Sequence, residues 1–251
     1  MSQQAQSLQG KVALITGSAK RIGAEIARTL HAEGATVVIH YGTSVEAAAK
    51  LVSELNTVRP DSCYSYSAAL GDINGLSGMI KKIIILTGRL DILVNNASSF
   101  YPTSIGDIDE TDWNNLFDSN LKGPLFLSQA ATPHLSKTMG CIINMVDIHA
   151  ERPLAKHPVY CSAKAGLVML TKSLALELGP SVRVNGVAPG IIIWPEGDQD
   201  TTLQDDLLLR TALKRKGNVK DITDTVLFLV RDAGYITGQI IAVDGGRTVN
   251  Q

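Results

Sequence analysis

The stretch Val12-Ala13-Leu14-Ile15-Thr16-Gly17-Ser18-Ala19-Lys20-Arg21-Ile22-Gly23 decides how this 251-residue sequence folds. Its first four residues form an unbroken apolar run. That is the pattern of a parallel strand covered on both faces, which has no polar side to alternate. A glycine-bearing turn follows and leads into a helix over Ala24–Glu33, with Gly34 as its stop. Gly17 permits a tight turn and Gly23 close packing of helix on strand, so the amides at the helix start can face a pyrophosphate. Such a glycine pattern is weak alone and gains its meaning from lying between a first strand and a first helix.

Outward from there, short β-branched runs alternate with helical segments. Strands are expected at Thr36–Ile39, Ile92–Val94, Cys141–Met145, Val182–Val187 and Gln239–Val243. Helices are expected at Val45–Leu55, with Ser44 as its cap, and at Tyr160–Leu178. This alternation implies right-handed βαβ crossovers, and hence a single α/β domain over residues 1–251. The fold class is a Rossmann-type doubly wound parallel sheet with helices on both faces. Residues 1–9 read as a flexible lead-in. Residues 191–206, which include Trp194-Pro195-Glu196-Gly197, interrupt the rhythm and read either as a substrate loop or as a plain surface loop.

Composition narrows the function classes. Hydrophobic residues make up 45% and charged residues 19%, with a formal net charge of -1. Nothing in that balance draws the chain to nucleic acid or to an anionic membrane. The basic run Lys214-Arg215-Lys216 reads as a solvated loop. Cys63, Cys141 and Cys161 lack metal or redox spacing and suit a reducing, cytoplasmic setting, with no metal site expected. No secretory leader is read in the polar N-terminus, and no apolar run approaches the roughly 20 residues that span a bilayer.

The end of the second strand selects a cofactor. An NAD enzyme places a carboxylate there for the ribose 2′-hydroxyl. Here the chain reads His40-Tyr41-Gly42-Thr43-Ser44, with Lys20 and Arg21 nearby. Hydroxyls, an imidazole and two cations accommodate a 2′-phosphate that an acid would repel, so the expected cofactor is NADPH.

Farther on, Tyr160 and Lys164 stand four apart on the long helix and therefore share a face. A free phenol titrates near 10, and an adjacent ammonium is expected to lower that value. With the Thr16–Gly23 motif, Asn95-Asn96-Ala97, Asn120, Pro189-Gly190 and Tyr235-Ile236-Thr237-Gly238-Gln239, the chain resembles the short-chain dehydrogenase/reductase family over nearly its whole length. The resemblance implies that Tyr160 is the general acid/base, Lys164 its modulator and ribose ligand, and Asn120 the support of a water relay. It also implies a cofactor held by Gly17, Lys20, Arg21, Ile22, Gly23, His40, Tyr41, Ser44, Leu70, Asn96, Ala97, Ser98, Tyr160, Lys164, Pro189 and Gly190. The acid that the family usually sets against the adenine is missing from Ala68-Ala69-Leu70.

Three departures from the family pattern are informative. Arg21 stands where the family has its middle glycine, Asp147 stands where it has a catalytic serine, and Ser98-Ser99-Phe100 follows the Asn-Asn-Ala turn. Together with His40-Tyr41 they resemble the pteridine reductase subgroup. That likeness implies a substrate site of Arg21, Ser98, Phe100, Asp147, Tyr160 and Trp194. Phe100 would stack on a flat pterin ring and Arg21 would hydrogen-bond its carbonyl edge. Asp147 with Tyr160 would deliver a proton to a ring nitrogen. The implied substrate is a dihydropterin such as dihydrobiopterin or dihydromonapterin, with dihydrofolate a further candidate.

Blander roles compete with these. Phe100 could be core, Asp147 a helix cap or the scar of a lost serine, Cys161 packing, and His149 and His157 solvated or core residues. The alternative functions are a ketone reductase, for example of 3-oxoacyl thioesters, and a non-catalytic NADPH-binding sensor or scaffold. The resemblance also implies a homotetramer paired through long helices and C-terminal strands.

Overall fold

The computed structural model describes residues 7–194 and 201–249. In chain order the elements are β1 (Val12–Ile15), α1 (Arg21–Ala32), β2 (Thr36–Tyr41), α2 (Val45–Val58), β3 (Cys63–Ser67), α3 (Ile73–Thr87), β4 (Ile92–Asn95) and α4 (Glu110–Phe117). They continue with α5 (Gly123–Thr138), β5 (Cys141–Met145), α6 (Pro158–Leu178), β6 (Arg183–Pro189), α7 (Thr201–Leu209), α8 (Val219–Arg231) and β7 (Ile240–Val243). The strands form one parallel sheet in the order β3-β2-β1-β4-β5-β6-β7, the doubly wound arrangement expected.

Successive residues of a strand face opposite sides, so each central run feeds two cores. Ala13 and Ile15 pack with Ile26, Leu30 and Val226 on the side of α1 and α8. Val12 and Leu14 pack with Ile80, Ile83 and Leu127 on the side of α3 and α5. The third strand is absent from the apolar-run reading. Cys-Tyr-Ser-Tyr-Ser lies at the sheet edge, pairs with β2 alone, and is buried fully only at Cys63, so it needs no continuous apolar run.

Several expected boundaries move. The first helix begins at Arg21, three residues early, and the long helix at Pro158, whose missing N–H costs nothing in a first turn. Leu8 is completely buried and its amide donates to the Glu33 carbonyl at 2.8 Å, so the chain is anchored two residues inside the expected flexible lead-in. Residues 1–6 of that lead-in lie outside the described residues. The 191–206 stretch, expected to be irregular throughout, is helical at its far end, where α7 begins at Thr201, and is anchored at its near end by the buried Ile192, while 195–200 lie outside the described residues. The Pro158–Leu178 helix is also long and apolar enough, by length and composition, to cross a membrane. It lies against the sheet with Tyr160, Lys164, Leu167 and Thr171 buried along one stripe.

Candidate active site

The sheet reverses its direction of growth between β1 and β4, and a cleft opens beyond their carboxyl ends. The glycine turn lies on one side of it. Gly17 has φ +59°, and a Cβ there would stand 2.8 Å from the Cα of Ala97. A Cβ on Gly23 would meet Nδ2 of Asn96 at 2.5 Å. Asn96 is tied down in turn: its Nδ2 donates to the Thr16 carbonyl at 2.8 Å, while Thr16 Oγ1 accepts from the amides of Asn96 and Ala97. The β1 and β4 turns are thus locked together by close backbone approach.

The N-terminus of α1 carries no side-chain cap at Lys20, so its first-turn amides are left for an anion, with exposed Lys20 and Arg21 beside them. Arg21 has φ +55°, the left-handed region that costs a side-chain-bearing residue about 1 kcal/mol. A glycine would sit there freely. Its guanidinium donates to the Trp194 carbonyl at 3.4 Å and lines a cavity of about 190 Å³. Ser44 is at the start of α2, yet its side chain makes no capping bond. Tyr41 is half-buried at the end of β2, and Leu70 packs on the α3 and α5 core.

His40 departs from the phosphate-binding role expected of it. It is buried, and its Nδ1 accepts from the Gly17 amide at 3.2 Å. Its Nε2 therefore carries the proton and donates to the Ala68 carbonyl at 3.0 Å. Burial lowers its pKa, which keeps the ring neutral and suited to these two bonds. With both nitrogens engaged, His40 holds the glycine turn to the ends of β2 and β3.

On the other side of the cleft, Arg21, Ile22, Asn96, Ser98, Asp147, Tyr160, Lys164, Pro189 and Gly190 line one cavity. Met145, Val146, Ile192 and Ile193 complete its wall. These apolar positions look like ordinary core in sequence and carry no motif. The Tyr160 hydroxyl donates to Oδ2 of Asp147 at 2.7 Å. The other carboxylate oxygen, Oδ1, accepts the His149 amide at 2.8 Å and caps the short 3-10 turn Ile148–Ala150. Asp147 is thus both a cap and the partner of Tyr160.

The expectation that Lys164 lowers the phenol pKa is reversed. Burial raises it well above the ordinary value, and the Asp147 charge and hydrogen bond raise it further. Lys164 does not reach the hydroxyl. Its Nζ lies 5.7 Å from the centre of the Tyr160 ring and donates to the Met145 carbonyl at 2.8 Å. Burial brings Lys164 down to about 8, with Asp147 opposing that fall.

Phe100 is 46% exposed, not core. Its ring stacks on His157 at 4.7 Å and meets the Tyr160 ring edge-on at 4.8 Å. His157, unpartnered in sequence, is therefore part of an aromatic corner. Asn120 lies in a π-helical turn, Asp118–Lys122, between α4 and α5. Its Oδ1 accepts from Ser98 Oγ at 2.7 Å, and its Nδ2 donates to the carbonyls of Ser99 and Leu116, each at 2.9 Å. That side chain is fully committed to bracing the 98–99 loop, so any water it supports must be held through its backbone. Pro124, four residues on, has no N–H to return to the Asn120 carbonyl. Cys161 packs beneath Tyr160, its Sγ accepting the Leu154 amide. Among the described residues no cluster of His, Cys, Asp or Glu is arranged to hold a metal.

Residues 17–248 match the family described as enoyl-(acyl carrier protein) reductase. The chain belongs to the short-chain dehydrogenase/reductase family. It is an oxidoreductase of that family, whose architecture a protein described as a short-chain alcohol dehydrogenase of Sinorhizobium meliloti shares at a TM-score of 0.92 and 30% identity, over 98% of this chain and 100% of that one. A blue fluorescent protein from a metagenomic library, solved in complex with NADPH, superposes at 0.89 with 32% identity over 96% and 99%. Pteridine reductase 1 of Leishmania tarentolae is 37% identical over 96% of this chain and 97% of its own length. A 3-oxoacyl-(acyl-carrier-protein) reductase of Staphylococcus aureus is 38% identical over 94% and 97%.

Proposed function

We propose that this family member is an NADPH-dependent pteridine reductase, acting in the cytoplasm on a dihydropterin. The observation that carries the reading is the hydrogen bond from Tyr160 to Asp147. A carbonyl reductase wants a second donor to the substrate oxygen, whereas reduction of a C=N bond wants a proton at ring nitrogen. A phenol paired with a carboxylate suits the second task. The exposed Phe100 ring beside them and the Arg21 guanidinium suit a flat heterocycle with a carbonyl edge.

The uncapped start of α1, the flanking Lys20 and Arg21, the uncommitted Ser44 hydroxyl and the absence of an acid after β2 fit NADPH. Gly17, Ile22, Gly23, Asn96, Ala97, Pro189 and Gly190 would shape its cradle, with Tyr41 and Leu70 toward the adenosine end. NADPH, when bound, supplies the hydride. Tyr160 keeps its proton because it is buried beside Asp147, and releases it to the ring nitrogen. Lys164, held over the cavity by the Met145 carbonyl, offsets the charge left on the phenol. Asp147 orients the hydroxyl, the phenolate regains its proton from solvent, and Phe100 and Ser98 position the ring.

Exposed Met169 and Leu176 on α6 and the fully exposed Tyr235 before β7 support assembly as a homotetramer through those elements. A single monomeric species in sedimentation would end that part of the proposal.

NADPH oxidation followed by absorbance, with 7,8-dihydrobiopterin and acetoacetyl-CoA in parallel, tests the function. Oxidation with the pterin alone, lost in Tyr160→Phe, is the expected result. Oxidation with the thioester alone would make the chain a ketone reductase, the activity named for its staphylococcal relative. NADPH binding without turnover on either would favour a sensor.

A further inference from the structure

Below the cavity, a chain of buried polar side chains crosses from the sheet to α6. Asn95 and Asn144 are register partners on β4 and β5, and Nδ2 of Asn95 donates to Oδ1 of Asn144 at 2.8 Å. Nδ2 of Asn144 donates to Oγ1 of Thr171 at 2.9 Å, and Thr171 donates onward to the Leu167 carbonyl at 2.7 Å. Asn144 and Thr171 are both completely buried, and neither lines the cavity.

Their placement connects them to the reacting groups. At 3.6 residues per turn, positions seven apart on a helix point within about 20° of one another. Lys164 and Thr171 therefore form one stripe on α6, with Tyr160 a turn earlier. That stripe meets consecutive residues of β5: Thr171 takes the Asn144 side chain, and Lys164 takes the Met145 carbonyl. Two residues farther along the same strand path comes Asp147, the partner of Tyr160.

We infer that Asn144 and Thr171 are positioning residues, a clasp that fixes the axial register of α6 on β5 and so places Tyr160 and Lys164 against Asp147. An apolar pair of the same shape would fill this space without the desolvation cost of an amide and a hydroxyl. What the polar pair adds is a requirement met in one register only. A slip of one residue, about 1.5 Å along the helix, leaves the buried amide without its acceptor.

The inference rests on the reading of Tyr160, Lys164 and Asp147 as the working groups. Its test uses the full-length protein with Thr171→Val, Thr171→Ser and the double variant Asn144→Leu/Thr171→Val. Two quantities are read: kcat and KM for 7,8-dihydrobiopterin, and the titration of Lys164 in the free protein by NMR of its ε-methylene, which needs no substrate. Thr171→Val should lower kcat about tenfold with KM little changed and displace the Lys164 titration, while Thr171→Ser keeps both. The double variant removes the stranded Asn144 amide but leaves Nδ2 of Asn95 only its 3.3 Å bond to Ser128 Oγ, so it should recover part of the melting temperature without recovering kcat or the titration. Wild-type kcat and wild-type Lys164 titration in the double variant would overturn the clasp and leave a packing role. A wild-type protein inactive on dihydropterins would overturn the functional reading instead. The Lys164 titration alone then decides the clasp: displaced in the double variant it stands, unchanged it falls.

Discussion

Tyr160 gives its hydroxyl proton to a hydrogen bond with Asp147, at 2.7 Å, and Lys164 takes no part in that bond. The acid partner of the phenol is thus a carboxylate from the end of β5. Asp147→Asn should keep the cap on the His149 amide while changing the partner of the phenol. Turnover with a dihydropterin is expected to fall about a hundredfold. The dissociation constant for NADPH, measured by fluorescence titration, should stay within about threefold. Parallel losses in both would assign Asp147 to the cofactor pocket.

Lys164 is buried as a cation at neutral pH, and that is costly. A fall from 10.5 to about 8 corresponds to about 3 kcal/mol against the folded state. The penalty is full below about pH 8, where folded and unfolded chains both carry the proton. It shrinks as pH rises toward 10.5, because the folded chain has then already released it. Lys164→Met should therefore unfold at higher denaturant than the wild type at pH 7, by up to this amount, with the gain fading by pH 10. The same variant should be catalytically silent. A destabilised Lys164→Met would show that the bond to Met145 outweighs desolvation.

The same group sets an upper limit in pH for turnover. As Lys164 loses its proton near pH 8, the charge left on Tyr160 after proton transfer loses its counterion. The pH profile of kcat should descend on its alkaline side through about 8. A profile flat to pH 9.5 would remove Lys164 from the chemical step.

His40 acts on the cofactor end through the backbone. In His40→Phe the Gly17 amide loses its acceptor and the Ala68 carbonyl its donor, in a buried setting where each orphan costs on the order of 1–3 kcal/mol. NADPH should bind at least tenfold more weakly, and NADH should weaken by the same factor because the lesion lies in the turn, away from the 2′-phosphate. A loss confined to NADPH would instead return His40 to the phosphate.

Arg21 pays a conformational cost that a glycine would not. Arg21→Gly should leave the melting temperature unchanged or higher, and raise KM for the dihydropterin about tenfold. An unaltered KM would mean that the guanidinium serves only the contact with Trp194.

The central strands were legible because burial on both faces writes them as apolar runs, and the Tyr160–Lys164 pair because a helix repeats nearly every four residues. The edge strand Cys63–Ser67 escaped because one covered flank and one bare flank leave no such run. The partners of His40, Lys164 and Asn120 could not be read from sequence. Apart from the Ser98 hydroxyl on Asn120, each is a backbone group, common to every residue, and only the folded path decides which one arrives. His157 likewise acquires its meaning from Phe100, 57 positions away in the chain and 4.7 Å away in space.

The π-helical turn at Asp118–Lys122 holds one residue more than an α-helical course through the same space would require. Deleting a single residue there would let the helix close into regular α geometry, and the widened turn that presents Asn120 would be lost. Asn120 would leave the 98–99 loop it braces, and the aromatic corner built on that loop would lose its footing. The helix thus carries a counted insertion, so length variation among homologues should gather in the loops on either side and spare these five positions.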